Sequence, residues 1–148
     1  MIPNRTNVNP AGIAGRVLLH KGINMIHEMR LKTRPFEQIA TGCKTVELRL
    51  NDPKRQKIAV GDTILFQRMD DMNQVLAVQV VALHTFASFG ELYKAIPLDK
   101  CGYSPAELSD ASPEDMLQYY TTEEEGKWGV LAIEIEVKCL SAQWGLNN

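Results

Sequence analysis

The sequence predicts an α+β domain: a small, mostly antiparallel β-barrel with short flanking α-helices. Three observations lead there. Period-2 alternation marks several short strands, the elements run in the order strand, helix, strand, hairpin, helices, strand, and the connections are too short for repeated right-handed crossovers, which disfavours a doubly wound sheet. At 148 residues, 45% hydrophobic and 23% charged, the chain is long enough to bury one core without disulfides or a structural metal.

Residues 1–24 mix Asn, Pro and Gly around one short apolar patch and read as an N-terminal extension outside the core, with residues 25–141 as the domain and 142–148 as a tail. Ile26 to Lys32 alternates as a first strand. Pro35 pre-sets a helical start for Phe36, Ile39 and Ala40, and Gly42 closes that helix as a left-handed cap. Thr45 to Leu50 has period 2, with Val46, Leu48 and Leu50 facing the core and Thr45, Glu47 and Arg49 on an outward polar face.

Asn51-Asp52-Pro53 is a turn, followed by basic Lys54, Arg55 and Lys57 and a Val60-Gly61-Asp62 turn. Thr63 to Met69 and Gln74 to Leu83 form a hairpin joined by residues 70–73. Ser88 with Glu91 is a capping box opening a helix that carries Phe89, Leu92 and Ile96 and stops at Pro97. Ser104-Pro105 and Ser112-Pro113 each place a cap residue before a helical proline, which predicts two short helices within 104–120. Glu123, Glu124 and Glu125 read as N-terminal helix charge after Thr122, complementing the macrodipole. The closing strand, Gly129 to Lys138, sends Leu131, Ile133, Ile135 and Val137 inward and Glu134 and Glu136 outward.

The formal net charge of −2 argues against a nucleic-acid partner only while the chain is taken as a whole. Residues 1–68 hold 12 Lys and Arg against 5 Asp and Glu, whereas residues 69–148 hold 4 against 13. This division predicts a basic face and an acidic face, unless folding interleaves the two sets. Cys43, Cys101 and Cys139 are odd in number, lack C-x-x-C spacing and have no His at ligand distance, so no metal, cofactor or disulfide framework is expected. No apolar run is long enough to span a bilayer and no secretory signal is evident; free thiols fit a cytoplasmic location, and no membrane contact is expected. His27 and His84 fall in strands and read as hydrogen-bonded structural residues.

The densest chemistry lies in Gly42-Cys43-Lys44-Thr45-Val46-Glu47-Leu48-Arg49, which reads G-x-K-x-x-E-x-R behind a helix and ahead of a V-G-D turn. Lys44 is a point charge suited to phosphate, Arg49 offers parallel N–H donors to a phosphate or base edge, and Glu47 can accept from an amine or hydroxyl. The bland alternative is an ion pair between Glu47 and Arg49 with no ligand. Motif, position and flanking elements together resemble the ASCH family, PUA-like barrels named for ASC-1 homology, over roughly Met29 to Val137. The resemblance implies binding of single-stranded RNA or a nucleotide-like ligand in a cleft lined by Lys44, Glu47 and Arg49.

Around that motif, Lys54 and Arg55 could extend the basic surface along a phosphate backbone, or simply form a solvated loop. Tyr103, Tyr119, Tyr120 and Trp128 offer flat faces for an unpaired base, against the ordinary reading of core packing.

Two enzymatic alternatives use the same cleft. One ASCH-like branch comprises amidohydrolases of N4-acetylcytidine with a Lys, a Thr nucleophile and a Glu; Lys44 matches the lysine, but Glu47 stands where the threonine belongs, and a carboxylate is a poor substitute for a hydroxyl nucleophile. Thr45, beside Glu47 on the same predicted face, is the available hydroxyl. In the other alternative, a ribonuclease, Glu47 deprotonates the 2′-hydroxyl while Lys44 and Arg49 stabilise the phosphate. The Cys43 thiol is disfavoured as a nucleophile by the preceding helix C-terminus. A third class, a coactivator-like module with a protein partner, is permitted by the acidic half.

Overall fold

The structure, a computed structural model, describes residues 24–140. The expected N-terminal extension, but for Asn24, and the C-terminal tail lie outside the described residues. One five-stranded sheet, in the order β1-β3-β4-β5-β2, curls into a half-barrel. Its strands are β1 (Ile26–Leu31), β2 (Val46–Leu50), β3 (Thr63–Arg68), β4 (Asp71–Phe86) and β5 (Val130–Leu140). Only β1 and β3 pair in parallel; the other three pairings are antiparallel. Among the described residues three α-helices, α1 (Thr33–Thr41), α2 (Phe89–Ala95) and α3 (Thr122–Trp128), flank the sheet. The predicted α+β, mostly antiparallel architecture is therefore present as an open half-barrel, whose edge strands β1 and β2 are not paired with each other.

Curvature comes mainly from β4. Its 16 residues are interrupted by register shifts against β3 after Gln67 and against β5 between Ala77 and Val78 and between Val80 and Ala82. Each irregularity adds local twist, so the strand bends across both neighbours instead of staying flat. β4 also begins earlier and ends later than the sequence suggests, with the hairpin turn at Met69-Asp70.

The inner face of the half-barrel is filled by Met29, Leu31, Ile64, Phe66, Leu76, Val78, Val80, Leu83, Leu131, Ile133 and Ile135, capped by Phe36 and Ile39 of α1. The opposite face of β2 and β5 is covered too. Val46, Leu48, Leu50, Val130 and Ala132 pack against Phe89, Leu92, Ile96 and Cys101, making a second core. Val137 departs from its predicted inward place: it is 43% exposed, beyond the rung of Ile135 where β5 leaves the inner core.

Local signals explain the ends. Gly42 closes α1 at φ 85°, with its N–H donating to the Ile39 carbonyl, as the spacing predicts. The helix starts two residues before Pro35, which is harmless because a first-turn N–H has no intrahelical acceptor. Ser88 caps α2 by accepting the Glu91 N–H, while the first helical N–H, that of Phe89, donates to the Glu125 carboxylate and so ties α3 to α2. The cap of α3 is Thr121, in a capping box with Glu124, and Glu123, Glu124 and Glu125 occupy the first turn as the expected N-terminal charge. The two expected helices of 104–120 are only 3-10 turns, Leu108–Asp110 and Pro113–Gln118. Both are too short to recover the cost of nucleating an α-helix. Ser112 keeps its predicted capping role, reciprocated by Asp115.

His27 and His84 are structural, as predicted. His27 Nε2 bonds Asp62 Oδ2 at 2.7 Å, and His84 Nε2 pairs with Glu134. Asp62, only 2% exposed, also accepts the Met25 and Ala59 N–H groups, fixing β1 to the Gly61 turn.

Candidate functional site

The unpaired edges of β1 and β2 face each other across a seam, and the seam is a cleft of about 460 Å³. β2 places Val46, Leu48 and Leu50 in the second core, so alternation aims Glu47 and Arg49 to the other side, toward the half-barrel and its seam. That face is not the solvated one predicted from the sequence. Glu47 is 5% exposed, because residues from α1, the Leu98–Cys101 turn and the Pro113–Gln118 turn line the same cleft.

At the floor, Lys44 Nζ lies 2.9 Å from Glu47 Oε1 and Arg49 Nε donates to Glu47 Oε2 at 2.7 Å. Arg49 Nη2 reaches across the seam to the Arg30 carbonyl of β1 at 2.9 Å. The motif arginine therefore bridges the two edge strands. Burial alone would raise the Glu47 pKa, but the charges and hydrogen bonds of Lys44 and Arg49 outweigh it and hold the carboxyl down to about 2. Burial likewise works against Arg49, and the Glu47 charge keeps its pKa above the ordinary value. With Glu47 ionised and engaged by both cations, the floor turns spare N–H donors of Lys44 and Arg49 toward a ligand.

One wall is aromatic. Tyr93 from α2, Tyr103, Tyr119 and Tyr120 all line the cleft. Tyr120 stacks on Phe89 at 5.9 Å between ring centroids, while Tyr119 is half exposed with Lys32 Nζ over its ring at 5.1 Å. The lip is basic, with Arg30, Lys32 and Arg34. Arg34 is held by a two-pronged bond to Glu107, Nη1 to Oε2 at 3.1 Å and Nη2 to Oε1 at 2.6 Å. Gly102 completes the side wall at φ 106°; a Cβ there would lie 2.8 Å from Gln38 Oε1 and 3.3 Å from Lys44 Cδ. Cys101 also lines the cleft, but burial pushes its thiol up to about 12, partly opposed by Lys44, so it stays protonated.

The structure brings together Lys44, Glu47, Arg49, Tyr103, Tyr119 and Tyr120, and leaves other candidates outside. Thr45 is exposed and does not line the cleft; its backbone bonds Lys100 and Ile135 instead. Lys54 is exposed on a turn, and Arg55 pairs with Asp52 at 2.9 Å. Trp128 packs on the second core with Lys127 Nζ 4.8 Å over its ring. Sequence reasoning misses Tyr93, Asp115 and Gly102, which reach the cleft from separate segments. For Tyr93 the available signal is its place at the border of the apolar face of α2. Among the described residues no group of three or more His, Cys, Asp or Glu is placed to hold a metal, and no helix is long and apolar enough to cross a membrane.

The ASCH domain model matches residues 29–138. Among solved structures the chain is similar to the hypothetical protein PH0355, at 34% identity and a TM-score of 0.64, over 77% of this chain and all 100% of that one. It is similar also to protein PF0455 from Pyrococcus furiosus, at 33% identity and a TM-score of 0.56, over 76% of this chain and 97% of that one. A mutant form of ZmASCH from Zymomonas mobilis shares the fold at 15% identity and a TM-score of 0.54, over 76% of this chain and 70% of that one. No curated protein matches the chain.

Proposed function

The chain belongs to the ASCH domain family, and from that premise we propose that its seam cleft binds a single-stranded RNA segment or a nucleotide-like ligand. The observation that carries this reading is the meeting, in one cleft, of the cationic Lys44-Glu47-Arg49 floor and a wall of four tyrosines. Its volume falls in the range of small-ligand sites. Five cations line it, Arg30, Lys32, Arg34, Lys44 and Arg49, against the three anions Glu47, Glu107 and Asp115. The cleft is thus locally positive although the whole chain carries −2. A ring can stack against exposed Tyr119 while phosphate meets the lip, the usual division of labour for unpaired nucleotides.

Binding is favoured over turnover by the state of Glu47. A carboxyl held at about 2, with both oxygens engaged, is a weak base toward a 2′-hydroxyl at neutral pH. The hydroxyl that the sequence offers as a nucleophile, that of Thr45, lies outside the cleft.

The test is fluorescence anisotropy with labelled single-stranded RNA between about 50 and 200 mM salt, where each phosphate contact contributes about 0.7 to the logarithmic salt slope. Arg30→Ala and Lys32→Ala, both at exposed positions, should each weaken binding and flatten the slope by about that amount. Absence of salt-dependent RNA or nucleotide binding by the wild-type chain, or unchanged slopes in both variants, defeats the proposal.

A further inference from the structure

Hydrogen-bond direction along the aromatic wall deepens this reading and rests on it. Tyr103 Oη lies 2.7 Å from Asp115 Oδ2, an oxygen that also accepts the Ser112 N–H at 3.2 Å. An ionised carboxylate has only lone pairs to offer, so the Tyr103 hydroxyl must spend its single proton on Asp115. Tyr93 Oη lies 2.7 Å from Tyr103 Oη. With the Tyr103 proton already committed, that bond can form in one sense only, Tyr93 donating and Tyr103 accepting. Burial raises the pKa of both hydroxyls, so the relay keeps its protons at neutral pH.

The consequence falls on the cleft. Tyr93, its one proton used, has only acceptor lone pairs left for a ligand. The floor is the reverse: the uncommitted hydrogens of Lys44 and Arg49 are donors, and the Glu47 oxygens are already engaged. A complementary ligand therefore needs an N–H donor for the tyrosine wall and an acceptor for the floor. A base with an exocyclic amino group next to a ring-nitrogen acceptor, such as cytosine or adenine, supplies both. In the same pose, uracil or hypoxanthine inverts the pair: its carbonyl meets the lone pairs of Tyr93 and its ring N–H meets the donors of the floor. A polar group built to pair discriminates strongly against a partner that leaves it unpaired.

We infer that the cleft selects amino-bearing over oxo-bearing bases and that Tyr93, oriented by Tyr103 and Asp115, is the residue that reads the difference.

Two nucleotide pairs test it by calorimetry or competition against labelled RNA: cytidine against uridine 5′-monophosphate, and adenosine against inosine 5′-monophosphate. The wild-type chain should bind the amino member of each pair at least about tenfold more tightly. Tyr93→Phe should reduce that preference below about twofold. Tyr103→Phe is the decisive variant, because it frees the Tyr93 proton to point at the ligand. It should improve binding of the oxo members, an effect that mere loosening of the wall would not give. Equal affinities within each pair, preference for the oxo members, or an unchanged preference in Tyr93→Phe overturns the inference while leaving nucleotide binding intact. Failure of all four nucleotides to bind also overturns it, and removes the underlying reading as well if single-stranded RNA fails to bind.

Discussion

Replacing Glu47 by Gln tests the electrostatic account of the cleft floor most directly. The substitution keeps shape and removes one negative charge lying between Lys44 and Arg49, whose side chains are only 11% and 12% exposed. Holding the carboxyl at about 2 instead of its ordinary 4.5 corresponds to about 3 kcal/mol, at about 1.4 kcal/mol per pH decade. With so little exposure, solvent screening discounts this figure only modestly. The independent expectation for removing one partner of a buried ion pair is ~3–5 kcal/mol, so the two routes agree.

The sign follows from the depressed pKa. The stabilisation is fully present above the unfolded carboxyl value and is lost as pH falls through the folded value, between 4.5 and about 2. The assay is urea denaturation of both chains from neutral pH down through that window. At pH 7 the variant should be about 3 kcal/mol less stable. The gap should close toward zero as the wild-type carboxyl is protonated. Other acid-sensitive groups, such as Glu107 paired with Arg34, are common to both chains and cancel in the difference. A gap below about 1 kcal/mol at pH 7, or one that does not narrow with acid, would falsify the view that Glu47 is a buried counter-ion.

Two further outcomes follow from the geometry. Gly102→Ala places a Cβ at positive φ against Gln38 and Lys44, so it should cost about 1–3 kcal/mol and weaken nucleotide binding; an unchanged melting temperature would show that the turn relaxes freely. Trp128→Ala removes a half-buried ring of the second core outside the cleft, so thermal melting should report a loss of about 1–3 kcal/mol while affinity stays within about twofold of wild type. A loss of affinity as large as that of Tyr119→Ala would place the indole on the ligand path after all.

The chain's own pattern determines its strands, its helix ends and the residues of the motif. Period-2 alternation marks β2 because neighbouring strand residues must face opposite ways, and Gly42 marks the end of α1 because a left-handed cap excludes most side chains. Alternation says which side Glu47 occupies; it says nothing of what covers that side. Much of the cover comes from distant segments, the Leu98–Cys101 and Pro113–Gln118 turns, whose local sequence lacks a periodic apolar face, so a predicted solvated face is in fact the floor of a cleft.

The charge division resolves similarly. The basic half lines the cleft, and two members of the acidic half, Glu107 and Asp115, enter it already engaged by Arg34 and Tyr103. Lys54, Arg55 and Trp128 show the converse: residue type suited them to a ligand, and position in the fold assigned them elsewhere. Local sequence controls backbone conformation within a few residues, which is why elements and caps are legible. The donor and acceptor polarity of the cleft is set by Tyr93, Tyr103 and Asp115 from three separate segments. A hydroxyl's single proton takes its direction from whichever partner folding brings within reach, so only the tertiary structure could decide it.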